Sequence, residues 1–148
     1  MSGKPFVFPK LYTEFAKYYD RLESQYRNYA KEALWLLEIF DKYASRKIVD
    51  LSCGTASHLA NLVQESIPEE RKFFGIDASE EMVRLALQKL GPKKAEVSIA
   101  QADFLHPPYR DGSFDAALCM YWSLAGLNEN LVKDLFFAVS SLLEKGGI

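Results

Sequence analysis

The spacing of apolar positions changes along the chain, and each change marks an element. Between residues 26 and 43, Ala30, Ala33, Leu34, Leu37 and Phe40 recur at helical intervals, which predicts an amphipathic helix. Residues 12–20 (YTEFAKYYD) predict a shorter helix before it. The spacing then tightens. Lys47-Ile48-Val49-Asp50-Leu51-Ser52 is a short apolar run ending in an acid and small residues, the mark of a buried strand. Residues 72–77 (KFFGID), 95–103 (AEVSIAQAD) and 114–122 (FDAALCMYW) predict three more strands, the last opened by the turn residues Asp111-Gly112-Ser113. Helices are predicted between them, at 55–66 with Pro68 soon after, at 79–90, and at 129–143 before Lys145-Gly146-Gly147. Ser79 is the N-cap of the second, with Glu80 and Glu81 in the first turn where the helix dipole favours acids, and Gly91-Pro92 ends it.

This alternation of strand and helix predicts an α/β fold of three layers, a parallel sheet between helices joined by right-handed crossovers. In such sheets ligands sit beyond the carboxyl ends of the strands, where the strand order reverses. The chemically unusual residues do fall just after strands: Asp50-Leu51-Ser52-Cys53-Gly54 after the first, Asp77 after the second, Asp103 after the third and Tyr121-Trp122-Ser123 after the fourth.

Composition narrows the function classes. The 148 residues suit one core, with 49% hydrophobic and 26% charged residues. A net charge of −2, with Lys and Arg scattered among acids, offers no basic stripe for phosphate, so no nucleic-acid partner is expected. No apolar stretch approaches bilayer length and the N-terminus lacks a signal-peptide pattern, so no membrane is expected and the expected compartment is the cytoplasm. Cys53 and Cys119 have neither metal-ligand spacing nor the look of a disulfide framework, and no metal is expected.

Val49-Asp50-Leu51-Ser52-Cys53-Gly54-Thr55-Ala56 resembles the Asp-x-Gly-x-Gly-x-Gly first motif of class I S-adenosylmethionine (SAM) dependent methyltransferases. A ligand backbone passing close over this turn explains the need for glycine at Gly54, where a side chain would stand in the way. Ser52 and Ala56 replace two of the family's glycines, which predicts a slightly tighter pocket. Asp77, 23 positions after Gly54, can accept from both hydroxyls of a ribose, or else serve only a helix-start network with Ser79. The resemblance further implies that Ala78 and Met82 lie beside the adenine, although Met82 could equally be core. It implies that Asp103 accepts from the adenine amino group and that the Phe104 backbone meets the ring edge. His106-Pro107-Pro108-Tyr109 reads as a rigid surface loop with a solvated histidine. Phe114-Asp115-Ala116-Ala117-Leu118 resembles the family's fourth strand, and Ser141 to Gly147 its Leu-x-x-Gly-Gly turn. Together these matches imply a Rossmann-like fold with SAM as cofactor. NAD is the competitor, but its Gly-x-Gly-x-x-Gly would fall on Ser52-Cys53-Gly54-Thr55-Ala56-Ser57, which lacks the first and third glycines.

The stretch from Met120 to Leu127 is aromatic and follows the fourth strand directly; it resembles small-molecule methyltransferases that N-methylate amino sugars and glycine. That group's N-terminal tyrosines fold over the cofactor, which implies Tyr19, and more weakly Tyr29, near SAM; aromatics on a helix can also simply be core. The cofactor set implied by resemblance is therefore Tyr19, Asp50, Ser52, Gly54, Asp77, Ala78, Met82, Asp103, Phe104 and Met120. The implied partner is a small-molecule methyl acceptor, an amine. His58 is expected to be a hydrogen-bonded structural histidine, with a general base as the alternative. Residues 1–45 read as a helical cap and 46–148 as the cofactor domain. The family's sheet has seven strands, and this chain reaches Gly146-Gly147-Ile148 where the fifth should begin. The fold is accordingly expected to be C-terminally truncated, with an exposed sheet edge open to self-association. Two functions follow: a small-molecule methyltransferase, or a SAM- or adenosine-binding module without turnover.

Overall fold

A computed structural model describes residues 9–67, 69–92, 96–121 and 127–148. Two short turns of 3-10 helix (Lys10–Tyr12 and Ala16–Tyr18) lead into α1 (Tyr19–Glu23) and α2 (Tyr29–Lys42). Then come β1 (Lys47–Asp50), α3 (Ser57–Glu65), β2 (Lys72–Asp77), α4 (Glu80–Leu90), β3 (Val97–Gln101), β4 (Ala116–Leu118) and α5 (Glu129–Leu142). The four strands form one parallel sheet in the order β3-β2-β1-β4. The predicted α/β architecture is what forms, and the order reverses between β1 and β4.

Side chains alternate across this sheet with the two-residue period of a strand. Ile48 and Phe73 point to the face covered by Ala33, Leu36, Leu37 and Phe40 of α2, Leu59 and Leu62 of α3, and Ala86 and Leu90 of α4. Val49 and Ile76 point to the other, with Phe114 and with Leu135 and Leu142 of α5. One core therefore includes α2, so the helix before residue 46 shares a hydrophobic layer with the sheet.

Several sequence expectations are corrected. The buried stripe of α2 is Ala33, Leu36, Leu37 and Phe40, whereas Ala30 and Leu34 are exposed, one column round the same helix. Both columns satisfy 3.6-residue spacing, and the choice between them is made by where α3 and the sheet lie. The helix expected at 12–20 is two 3-10 turns followed by α1, with Tyr12 and Tyr19 partly buried and Phe15 and Tyr18 exposed. The fourth strand is only three residues long; Pro68 and Trp122 to Gly126 lie outside the described residues. Tyr109, expected on a surface loop, is half-buried with its ring edge-on to Phe74 and Phe114.

The helix starts behave as their residues dictate. Asn28, Ser79 and Asn128 each accept a hydrogen bond from a backbone N–H three residues on. The side of β4 away from β1 is partly paired: Ile148 N–H donates to Asp115 O at 2.9 Å, and Ala117 N–H donates to Ile148 O at 2.8 Å. Gly147 permits this approach, since a Cβ there would come within 3.0 Å of Asp115 O.

Candidate cofactor site

The carboxyl ends of β1, β2 and β3 bring Asp50, Asp77 and Asp103 to one edge of the sheet, each strand about 4.8 Å from the next. The β1 loop is continuous with the ladder: Leu51 N–H donates to Leu118 O and Cys53 N–H to Ile76 O, both at 2.9 Å. Gly54 then turns with φ +54 and Ala56 with φ +58 before α3 begins.

Asp77 ties the two loops together. Its Oδ2 accepts from the N–H of Gly54 and its Oδ1 from the N–H of Ser79, both at 2.9 Å. Each oxygen keeps a further lone pair, so the helix-start network and ribose recognition are compatible. Burial raises its pKa, opposed by those two N–H groups. Asp50 lies deeper, 2% exposed, with one long contact from Ser52 N–H at 3.4 Å. Burial, opposed by that weak bond and assisted by Asp77, lifts its pKa to about 7.

The other residues of the set surround this pair. Ala78 O accepts from the Gln101 amide, and Met82 is buried in the first turn of α4. Asp103 accepts from Leu105 N–H at 2.9 Å and contacts the exposed His106 ring at 3.3 Å; Phe104 packs partly into the core beneath α5. Met120 packs against the opposite core, beyond β4. Ser52 spends its hydroxyl locally, donating to Leu51 O at 2.7 Å.

The N-terminal segment lies across this crevice. A Cβ on Gly54 would sit 4.0 Å from the Tyr19 ring, and the Tyr12 and Tyr19 rings are 5.9 Å apart. The Ser79 hydroxyl donates to Tyr12 O at 2.5 Å. Burial first, then the nearby Glu23, drives the Tyr19 phenol far above its ordinary range, so it remains a neutral hydroxyl.

His58 does not face the crevice as a free base. Its Nε2 meets Glu32 Oε2 at 2.8 Å, Tyr29 lies edge-on at 4.9 Å, and Tyr121 stacks on it at 5.6 Å. Burial lowers its pKa, so a neutral ring donates its Nε2–H to the carboxylate. Tyr121, with φ +62, lies under the Arg27 guanidinium, 3.1 Å from its centroid, and Arg27 pairs with Glu23. Sequence reading did not find Arg27, Glu32 or the polar group formed by Asp20, Thr55, Ser57 and Lys89. The contacts that join Glu32 to His58, Asp20 to Thr55 and Lys89 to Thr55 span 26, 35 and 34 residues, and no local pattern announces them.

The methyltransferase domain family matches residues 48–147. The chain is 28% identical over 111 residues to the demethylmenaquinone methyltransferase of Porphyromonas gingivalis, covering 72% of this chain and 44% of that protein. It is 25% identical over 129 residues to the glycine N-methyltransferase of Oryctolagus cuniculus, covering 77% of this chain and 42% of that one. Among solved structures it resembles an S-adenosylmethionine-dependent methyltransferase of Clostridium acetobutylicum, with a TM-score of 0.73 at 26% identity over 92% of this chain and 55% of that one. The chain thus spans about half the length of the proteins it matches.

Proposed function

The chain belongs to the methyltransferase domain family, as a class I S-adenosylmethionine-dependent member, and from that premise we propose that it carries the cofactor-binding part of an enzyme methylating a small amine. The observation that carries the reading is Asp77, whose carboxylate holds the Gly54 turn and the start of α4 while keeping acceptor capacity for two ribose hydroxyls. The residues fit the cofactor: Gly54 leaves the turn open, Tyr19 supplies an aromatic face over it, and Asp103 stands at the carboxyl end of the next strand.

SAM supplies an already activated methyl group on a sulfonium. What remains for the protein is to bind, align and exclude water. Tyr19 covers the turn and offers an aromatic face of the kind that suits a cation. Glu32, opposed by burial but hydrogen-bonded by Tyr121 and His58, is held below its ordinary pKa and stays ionised. An amine acceptor must give up its proton before its lone pair can take the methyl. In this reading residues 1–45 act as a cap on a cofactor domain of 46–148, and the protein works in the cytoplasm. Among the described residues no helix is long and apolar enough to cross a membrane.

Thermal melts with SAM, S-adenosylhomocysteine and NAD test the proposal. Saturation at 100 times the dissociation constant adds roughly 2.7 kcal/mol to stability. The expected outcome is a shift with the first two and none with NAD. A folded sample that responds to neither sulfur ligand overturns it. Methyl release with a panel of small amines then separates an enzyme from a binding module without turnover.

A further inference from the structure

Asp20, at the second position of α1, sits at the centre of a closed polar group drawn from three other elements of the chain. Its Oδ1 accepts from the Thr55 hydroxyl at 2.5 Å and the Ser57 hydroxyl at 3.3 Å, and its Oδ2 lies 2.8 Å from Lys89 Nζ. Lys89 in turn donates to both hydroxyl oxygens, at 2.8 Å to Thr55 and 2.5 Å to Ser57. All three ammonium protons and three acceptor positions of the carboxylate are used. Thr55 is itself buried. The group joins α1 to the turn after β1, to the first residue of α3 and to the last turn of α4.

The position of this group gives it a role. Tyr19, the residue before Asp20, has its ring against Gly54, and the segment is pinned again at Tyr12, whose carbonyl accepts from the Ser79 hydroxyl. Residues 12–20 therefore form a strap across the crevice between Gly54 and Asp77, fastened at both ends. The Tyr12 end holds by one hydrogen bond between neutral groups. The Asp20 end holds by an ion pair embedded in four further hydrogen bonds, which are the stronger kind.

We propose that Asp20 is a positioning residue, the latch that holds Tyr19 over the cofactor crevice and sets the rate at which cofactor enters and leaves. The proposal rests on the reading of that crevice as the SAM site. A ligand enclosed beneath Tyr19 leaves only when the strap lifts, so loosening the Asp20 end speeds passage both ways.

Stopped-flow fluorescence with S-adenosylhomocysteine measures both rates. Asp20→Asn keeps the shape and removes the charge; Lys89→Gln loosens the same latch from α4. Each is expected to raise the dissociation rate at least tenfold without lowering the association rate. A variant that is merely less well folded would instead bind more slowly, because fewer molecules are competent. Should Asp20→Asn fail to fold, Lys89→Gln alone decides the matter. Dissociation within twofold of the parent, or slower association with unchanged dissociation, overturns the latch alone. A folded parent that does not bind S-adenosylhomocysteine overturns the latch and the cofactor reading together.

Discussion

At Asp50, buried, and Asp77, partly buried, two carboxyls within one crevice give the protein a pH dependence. The folded pKa of Asp50 is about 7 against 3.8 unfolded. Between those values the folded chain holds a proton that the unfolded chain has released, so stability is full below pH 3.8 and is lost as pH rises through 7. Asp77, also raised by burial, adds a slope of the same sign. Melting temperatures from pH 5 to 8 are expected to fall in the parent, and to fall less steeply in Asp50→Asn. Equal slopes in the two would place the dependence elsewhere. Asp77 also carries the affinity prediction: Asp77→Ala should weaken SAM by about 1.5–3 kcal/mol, because it deletes charge-assisted hydrogen bonds. Calorimetry giving parental affinity would reduce Asp77 to a loop tie between Gly54 and Ser79. The positions of both acids were legible in the sequence because each ends an apolar run. How far each is enclosed was not, since that depends on the strands that pack alongside.

Among the elements, α3 departs most from ordinary practice at its start. Its N-cap is Ala56, left-handed at φ +58 and ψ 32, with no side-chain hydrogen bond to the helix. The family's glycine at this place would adopt that backbone without strain, whereas alanine strains it by roughly 1–2 kcal/mol. Glycine's own entropy loss returns about half of that. Ala56→Gly is therefore expected to stabilise the chain by roughly 0.5–1 kcal/mol, read as a higher melting temperature; a fall would mean that the buried methyl outweighs the strain. The replacement of the family's glycine by Ala56 thus has a conformational side that motif comparison does not reveal. Strand lengths show the same division. β2 is found at the residues its pattern predicts, but β4 ends at Leu118, because the chain turns out at Tyr121 to stack on His58.

For the whole molecule, the surface of α5 is the exposed apolar feature with consequences. Phe136 and Phe137 of α5 are 64% and 74% exposed, and the edge of β4 is only partly paired. Exposed apolar side chains and open strand positions each favour contact with a second chain. This 148-residue chain is expected to self-associate, and Phe136→Ser with Phe137→Ser should reduce it. Light scattering across a concentration series measures this. A parent that stays monomeric throughout would mean that Ile148 and its neighbours close the edge adequately.

The sequence by itself determined the architecture and the bounds of β2. Short apolar runs separated by helical runs admit few arrangements other than a parallel α/β sheet, and acids or small residues after each run place the ligand edge. It determined Ser79 as a helix cap as well, since that bond joins residues three apart. Tertiary structure alone decided which face of α2 is buried, that His58 donates to Glu32, and that Asp20 meets Lys89. Local periodicity specifies a helix but leaves its rotation to neighbours, and a hydrogen bond across tens of residues exists only once packing has brought both partners out of water together.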